Sequence, residues 1–374
     1  MQFPLLATNR MSGCSSRPFV TSMKFDTTGD PQKVLRREIS DLDLKAIGSY
    51  VKIKFLVSPI NPSDINMVQG VYGVVAKLPA IAGNEGVAEV VEVGPDVVNL
   101  TVGQWVIPFR SGFGCWRDYA VAREEELIQI ANDIPAAYAA TLSVNPATAY
   151  RLLRDFEVLR PGDVLIQNGA NSMVGLAVIQ MARLMGVKTI NVIRSDRPRA
   201  KELLNVLSNL GGDINITDDL LNTAAFRKIL ASFPPCKLAF NCVGGKATTE
   251  MIRCLAPGAT VVTYGGMSKK PLTVPVDLLI HNQYKLRGFW MAEWYETYGS
   301  LEKASMMEAI VNMVRLKQLS LFYETFGFDD FDAALSRSLE PFRFRKVILC
   351  FDHSDNLLVH NAEKEEILKT FEGT

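Results

Sequence analysis

The segment Asn168–Gly175, NGANSMVG, has the residues and the setting of a phosphate-binding turn. It follows a short apolar run, GDVLIQ, and opens a stretch of helical periodicity, VGLAVIQMARLMG. Backbone N–H groups at the start of such a helix, with its dipole, favour a pyrophosphate. Of the three glycine positions in a GxGxxG pattern, only the one that permits close helix–strand packing, Gly175, holds glycine; Ala170 and Ser172 stand at the others. The segment is therefore either a dinucleotide site or an ordinary strand–helix turn.

The predicted second strand, KTINVIR, ends at Arg194 and is followed by Ser-Asp-Arg197. A site that prefers NAD has an acid here, about 20 residues after the turn, on the ribose 2′-hydroxyl. A guanidinium instead suits a 2′-phosphate, by its charge and its bidentate geometry. We therefore predict NADP, although a surface salt bridge, with Asp196 as one partner, is the alternative for Arg194.

The scarcity of metal ligands argues against a catalytic zinc. Zinc dehydrogenases need Cys and His ligands, yet the chain has no histidine before His281, and Cys115 is the one cysteine of the predicted first domain. Without a Lewis acid, a carbonyl is a difficult target for hydride. A conjugated double bond is easier, because its β-carbon accepts hydride, charge moves to a thioester oxygen, and only a proton remains to be delivered.

Tyr72, in the glycine-flanked sequence GVYG, is the candidate for that proton donor. A phenol can act as a general acid when an anion develops beside it. Tyrosines are more often structural, so residue type alone leaves both roles open. Trp290 and Trp294, with Phe289, either wall an acyl pocket or belong to the core.

Two different sequence patterns surround these residues. Residues 19–134 alternate apolar and polar positions between Gly and Pro turns, which predicts a small, partly open β-barrel. From Asn145 onward, strand-like and helix-like segments alternate, which predicts right-handed βαβ crossovers and a parallel sheet. Since ligands bind at the carboxyl ends of such strands, one crevice should collect residues 168–175, 194, 244–245, 264–267 and 289–291.

The composition narrows the possible partners. The chain has 374 residues, enough for about two domains, and 48% of them are hydrophobic. Lys plus Arg equals Asp plus Glu at 40 each, which gives no electrostatic reason to expect nucleic acid. The apolar runs are far shorter than the ~20 residues that a membrane span needs. The first 25 residues are basic, rich in hydroxyl groups and free of acids, as in a mitochondrial presequence or a disordered tail.

The chain resembles the mitochondrial trans-2-enoyl-CoA or enoyl-acyl-carrier-protein reductases of the medium-chain dehydrogenase/reductase superfamily. The resemblance extends from about residue 23 to 349. SPINPSDIN and GNEGVAEVVEVG are shared with quinone-reductase relatives, whereas GVYG, SVNPATAYR, YGGM and RGFW together are more specific. It implies an α/β protein with a GroES-like β-rich catalytic domain and a Rossmann domain, a doubly wound parallel sheet that binds the cofactor.

The resemblance also implies a domain division. Residues 1–20 would be a transit peptide, 21–144 the GroES-like domain and 145–288 the NADPH-binding domain. Residues 289–374 would return to the catalytic domain and end in a polar tail from about residue 352. The family is mitochondrial, so we expect the matrix, and it forms homodimers by pairing the edges of two Rossmann sheets.

The site residues follow from the same resemblance. Tyr72 is the implied proton donor, and Trp290 would shape the site and hold Tyr72 or the acyl chain. The implied contacts to NADPH are Asn145, Ser172, Met173, Val174, Gly175, Arg194, Arg197, Tyr264, Gly265, Gly266, Met267, Phe289, Trp290, Met291 and Lys346. Met173 departs from the pattern, because relatives often have glycine there, and we expect its side chain to crowd the pyrophosphate. Ser195 looks inserted, which makes Arg197 a less secure match than Arg194.

The predicted reaction is hydride transfer from NADPH to C3 of a 2-enoyl thioester, with C2 protonated by Tyr72 or by a water that it positions. The substrate would be a thioester of acyl carrier protein or of CoA. An acidic carrier needs a basic docking surface, for which the candidates are Lys269, Lys270, Arg343, Arg345 and Lys346. Two alternatives stay open: an NADPH-dependent quinone or enone reductase, and a non-catalytic NADPH-binding partner protein.

Overall fold

The computed structural model of the chain describes residues 19–41 and 44–351. The strands are β1 Phe19–Phe25, β2 Arg36–Asp41, β3 Tyr50–Pro59, β4 Ala80–Ile81, β5 Val87–Val93, β6 Trp105–Pro108, β7 Tyr119–Arg123, β8 Leu127–Ile130, β9 Val164–Asn168, β10 Lys188–Ile193, β11 Ile214–Thr217, β12 Cys236–Asn241, β13 Thr260–Thr263, β14 Lys285–Gly288, β15 Tyr323–Gly327 and β16 Lys346–Cys350. The helices are α1 Pro31–Val34, α2 Pro62–Val68, α3 Ala136–Ala139, α4 Asn145–Asp155, α5 Met173–Leu184, α6 Ala200–Asn209, α7 Ala224–Leu230, α8 Gly245–Ile252, α9 Val276–Asn282, α10 Met291–Thr297, α11 Ser300–Arg315 and α12 Phe331–Leu339.

The first half of the chain builds a seven-stranded sheet around β3, which pairs antiparallel with β5, β7 and β16. Strand β3 alternates as the sequence predicts: Val51, Ile53 and Phe55 are fully buried, whereas the lysines between them are half-buried. Strand β16 comes from the far end of the described chain and lies between β15 and β3. The C-terminal part of the chain therefore helps to complete the sheet that the first half begins.

The second sheet has six strands in the order β11-β10-β9-β12-β13-β14, and all of its pairs are parallel. Strand β9, VLIQN, is buried along its whole length, as expected for a central strand covered on both faces. The chain passes from β9 to β10 on one side and reaches β12 on the other. The carboxyl end of β9 is thus a topological switch point, where open α/β sheets bind their ligands.

The two sheets share one continuous core. Helices α4 and α5 pack on each other, and a single apolar cluster runs from Leu142 and Leu152 through Leu176 to Ile348. Because residues from both ends of the chain contribute to it, the crevice at the end of β9 has a fixed wall on each side.

Two predicted segments lie largely outside the described residues: the transit peptide, 1–20, of which only Phe19 and Val20 are described, in β1, and the tail from about 352. The domain boundaries 21–144, 145–288 and 289–374 stay predictions. Within the described ranges, no helix combines the length and the apolarity needed to cross a bilayer.

Candidate active site

A cavity of about 590 Å³ opens at the carboxyl ends of β9, β10 and β12. Its walls come from α2, from the turn after β9, from the end of β10 and from the segment 338–346 that leads into β16. Of the predicted site residues, this cavity brings together Asn145, Ser172, Met173, Arg194, Arg197, Met267 and Lys346.

The turn after β9 has the construction of an anion site. Ser172 caps α5, because its hydroxyl accepts a hydrogen bond from the Gly175 amide at 3.1 Å. Gly169 has φ +58°, and a Cβ there would lie 2.5 Å from the Cys242 Sγ. The first N–H groups of the 12-residue helix α5 therefore face the cavity across a turn that glycine keeps close to β12.

We expect the Gly175→Ala variant to unfold more easily than the wild-type protein. A Cβ at this position would lie 2.6 Å from the Ala170 carbonyl oxygen and 2.7 Å from its carbon, both backbone atoms. We expect urea denaturation to show a loss of about 1–3 kcal/mol, the usual range for overpacking. Gly288→Ala is the matched control, since a Cβ at Gly288 meets nothing within 4 Å. Equal stability of the two variants would refute the close packing of α5 on the turn.

The two predicted arginines stand on one side of this cavity in different settings. The side chain of Arg194 is 54% exposed, and its Nε donates to Asp196 at 3.0 Å. Arg197 is buried and donates from Nη2 to the Phe342 carbonyl, while its Nε has no hydrogen-bond partner. Burial, and then the charge of Arg194, lowers the pKa of Arg197.

A phosphate fits this arrangement, because it would neutralise two neighbouring guanidinium groups and accept from the unpaired N–H of Arg197. The salt bridge considered as the alternative for Arg194 is present, but it lies at the cavity wall rather than away from it. The Arg194 guanidinium also lies 4.5 Å from the centroid of the Phe342 ring. Arg194 is therefore still accessible to a ligand.

Tyr72 and Trp290 form a contact pair although they are 218 residues apart in the chain. The Trp290 Nε1 donates to the Tyr72 hydroxyl at 2.9 Å, and the rings meet edge to face with centroids 5.7 Å apart. The close approach depends on Gly73, where a Cβ would lie 2.9 Å from the Trp290 Cη2. Burial raises the pKa of Tyr72, and the hydrogen bond from Trp290 partly opposes this. The phenol is therefore protonated at neutral pH and held in one place.

Lys346 lies at the floor of the cavity with only 4% of its surface exposed. Its Nζ donates to the Asn61 Oδ1 at 2.5 Å, and Asn145 Nδ2 donates to the same oxygen at 3.1 Å. Burial lowers the pKa of Lys346 to about 8. The prediction that Lys346 belongs to a basic docking surface is therefore wrong, because β16 carries its side chain into the interior.

The other predicted residues, Tyr72 among them, do not belong to the wall of this cavity. Tyr264, Gly265 and Gly266 follow β13, and the Tyr264 hydroxyl is buried without a hydrogen-bond partner. Phe289 packs edge to face on Phe156 with centroids 5.8 Å apart. The remaining ones, placed in α5 or at the start of α10, are Val174, Gly175, Trp290 and Met291.

Sequence reasoning missed three buried polar residues beside Lys346, namely Asn61, Asp64 and Glu85, each about 1% exposed. One signal was available: Asn61-Pro-Ser-Asp64 has the spacing of a capping box, and the backbone N–H of Asn61 does donate to the Asp64 carboxylate at 2.6 Å. Glu85 gave a weaker one, an acid in a glycine-containing turn, GNEG, before an apolar strand. Burial raises the pKa of Asp64 to about 6.

No three His, Cys, Asp or Glu side chains in residues 19–41 and 44–351 come together in a way that could hold a metal ion. The polar groups that do converge are amides, carboxylates, two ammonium groups, guanidinium groups and a phenol. Such a set can bind phosphates, orient a polar ligand and donate a proton.

Comparison with known proteins identifies both halves of the chain. Residues 48–132 match the alcohol dehydrogenase GroES-like domain, and residues 174–306 match the zinc-binding dehydrogenase family. The chain is 47% identical over 344 residues to the mitochondrial enoyl-[acyl-carrier-protein] reductase of Rattus norvegicus, with 91% of each chain covered. These matches confirm the predicted fold, a GroES-like domain followed by a parallel-sheet domain.

Solved structures agree with this result. The mitochondrial 2-enoyl thioester reductase Etr1p/Etr2p heterodimer from Candida tropicalis superposes with a TM-score of 0.82 and 32% identity, covering 89% of this chain and 100% of that one. The complex of Etr1p with NADP and crotonyl-CoA gives the same TM-score, identity and coverage. That protein thus binds both a nicotinamide cofactor and an enoyl thioester on the same fold.

Proposed function

This chain belongs to the mitochondrial enoyl-[acyl-carrier-protein] reductases of the medium-chain dehydrogenase/reductase superfamily, and from this membership we propose that it uses NADPH to reduce trans-2-enoyl thioesters to saturated acyl thioesters. The reaction serves mitochondrial fatty acid synthesis. The observation that carries the mechanism is the Tyr72–Trp290 pair, which holds a protonated phenol by a hydrogen bond of 2.9 Å.

The residues that would hold NADPH are those of the cavity wall. The amino end of α5 and the Ser172–Gly175 turn would take the pyrophosphate, and Arg194 with Arg197 would take the 2′-phosphate. Asn145 and Lys346 stand on the floor between the two sheets. When bound, NADPH supplies the hydride that goes to C3 of the enoyl thioester. Met173 is 8% exposed and lines the cavity, so its expected crowding of the pyrophosphate stays a prediction.

Tyr72 completes the reaction at C2. As the C3–H bond forms, the electron pair of the C2–C3 double bond moves toward the thioester oxygen, and C2 then takes the phenolic proton of Tyr72 or of a water that it positions. The Trp290 Nε1–H already points at the phenolic oxygen, so it stabilises the negative charge that this oxygen acquires. Solvent reprotonates Tyr72 at the end of the cycle.

Trp290→Phe should lower kcat more than it changes KM for NADPH. Phenylalanine keeps an aromatic ring near Gly73 but removes the N–H that Tyr72 accepts. We expect a loss in kcat of about ten- to a hundredfold, since a hydrogen bond to a charged group contributes about 1.5–3 kcal/mol. The control is Trp105→Phe, on β6 of the other sheet. A Trp290→Phe enzyme with normal kcat would show that the indole N–H does not stabilise the phenolate.

Partners and location complete the proposal. The physiological substrate is carried by acyl carrier protein or CoA, and an acidic carrier would dock against exposed Lys269 and Lys270. The other two candidates, Arg343 and Arg345, are partly buried and line the cavity. The family's mitochondrial location supports the matrix as the compartment. Strand β14 is exposed along its length at the outer edge of the parallel sheet, which supports a homodimer paired through this edge.

The proposed function is tested by NADPH oxidation, followed by absorbance, with a medium-chain trans-2-enoyl-CoA as substrate. A small quinone is run in parallel because the same fold could serve it. We expect turnover of the enoyl thioester and much less of the quinone. Quinone turnover without enoyl turnover would select the quinone-reductase alternative, and NADPH binding without turnover of either would select a binding protein.

A further inference from the structure

Glu85 is 1% exposed and lies behind the cavity floor. Both of its carboxylate oxygens accept hydrogen bonds. Its Oε1 accepts from the Ser143 hydroxyl at 3.0 Å and from the Val144 amide at 2.7 Å. Its Oε2 accepts from the Asn61 Nδ2 at 2.7 Å. This one buried carboxylate, which stands just before β5, is thus bonded both to the residues immediately before α4 and to the amino end of α2.

The chemistry of these neighbours fixes the amide of Asn61 in one orientation. An ionised carboxylate only accepts hydrogen bonds and an ammonium only donates them. Asn61 stands between the Glu85 carboxylate and the Lys346 ammonium, so its NH₂ must face Glu85 and its oxygen must face Lys346. A rotated amide would place two donors together on one side and two acceptors on the other.

The fixed orientation of the Asn61 side chain also determines the hydrogen bonds of two residues at the cavity floor, Asn145 and Lys346. The Asn61 Oδ1 accepts from the Asn145 Nδ2 at 3.1 Å as well as from Lys346. Because its Nδ2 is committed to Asn61, Asn145 has its own Oδ1 left to accept from a ligand. Asn61, Asn145 and Lys346 all line the cavity, whereas Glu85 stands one layer behind them.

We propose that Glu85 is a positioning residue of this reaction, which acts by setting the direction of the hydrogen bonds from Asn61 to Asn145 and Lys346. The proposal rests on the proposed function, since it assigns these two side chains to NADPH. Glu85 itself touches neither the cofactor nor the reacting atoms.

The protonation of Glu85 should also make NADPH binding depend on pH. Burial raises the pKa of Glu85 to about 7. The titratable groups that interact with Glu85 are Cys115, Tyr295 and Lys346, and among them the Lys346 ammonium favours the ionised form. Asp64, which accepts from the Asn61 backbone N–H, also interacts with Lys346. A protonated Glu85 would turn one acceptor into a donor and remove the constraint on Asn61. Productive NADPH binding should therefore weaken as the pH falls through about 7.

The test compares four purified variants by NADPH affinity, from fluorescence titration without substrate, and by kcat and KM. Glu85→Gln keeps the shape but places a donor against the Asn61 NH₂, and we expect NADPH affinity and kcat/KM to fall about ten- to a hundredfold, as misplaced binding groups do. The part of its pH dependence that comes from Glu85 should disappear, so its NADPH affinity should fall less below pH 7 than that of the wild-type protein. Glu89→Gln, four residues further along the chain on β5 and partly exposed, is the matched control.

A polarity swap separates positioning from mere packing. Asn61→Asp alone places two acceptors together, so it should lose NADPH affinity as Glu85→Gln does. In Glu85→Gln/Asn61→Asp the amide donates to the new carboxylate, which still accepts from Asn145 and Lys346, so most of the affinity should return. Thermal unfolding of each variant reports whether it is folded.

The outcomes are distinct. Wild-type NADPH affinity and pH dependence in a folded Glu85→Gln protein would overturn the proposal. So would a folded double variant that binds NADPH no better than the single ones. Failure of the wild-type protein to reduce enoyl thioesters would refute the proposed function instead, because NADPH affinity is measured here without substrate.

Discussion

Replacing Tyr72 with phenylalanine lowers kcat for a trans-2-enoyl-CoA by about 10²–10⁴-fold, the contribution expected of a general acid, and leaves NADPH affinity unchanged. The reason is geometric: the Tyr72 hydroxyl is fixed by the Trp290 Nε1 at 2.9 Å, and burial keeps it protonated. Phenylalanine preserves the edge-to-face contact with the indole but carries no proton to donate. Steady-state kinetics and a fluorescence titration with NADPH measure the two effects separately.

The control for this experiment is Tyr119→Phe, on β7, where the ring lies 5.6 Å from the Lys52 ammonium. It should behave as wild type. Full activity of Tyr72→Phe would remove the hydroxyl from the mechanism and leave Tyr72 as a packing residue. A loss confined to NADPH affinity would place it in the cofactor site instead.

Arg194→Gln should convert a strong preference for NADPH into a weak one. A hydrogen bond between charged groups contributes about 1.5–3 kcal/mol, so we expect KM for NADPH to rise about ten- to a hundredfold while KM for NADH changes little. The arginine is exposed and paired with Asp196, so its removal should not unfold the protein. The measurement is KM for each cofactor at saturating enoyl thioester.

Arg199→Gln serves as the comparison, because Arg199 lies five residues further along and its Nε is 3.8 Å from Glu202. It should keep the wild-type preference. Equal rises in KM for NADPH and for NADH in Arg194→Gln would mean that the arginine stabilises the fold of the turn and does not bind a 2′-phosphate. An unchanged preference would transfer the role to Arg197.

The parallel-sheet part of the fold was accessible from sequence because its signals are local. GDVLIQNG and KTINVIR predict β9 and β10, and VGLAVIQMARLMG predicts α5, which ends at Leu184, before Gly186. A strand, a turn and a helix in this order place Gly175 against Ala170 whatever the rest of the chain does. The crevice at the strand ends follows from the alternation of elements alone.

The floor of the site was not accessible in this way. The Lys346–Asn61 bond joins residues 285 apart, and Asn61–Glu85 crosses from one loop to another. No periodicity indicates which lysine of a C-terminal strand will be buried, so sequence reasoning grouped Lys346 with surface cations. The pairing of β16 with β3, a long-range event, decides its position.

The most direct test of the central claim uses NADPH dideuterated at C4 of the nicotinamide, a trans-2-enoyl-CoA and ordinary water. Mass spectrometry and NMR of the product locate the label. We predict one deuterium at C3 of the saturated acyl chain and ordinary hydrogen from solvent at C2, as required when hydride goes to C3 and Tyr72 or its water protonates C2. Deuterium at C2, or a product without label, would contradict the account.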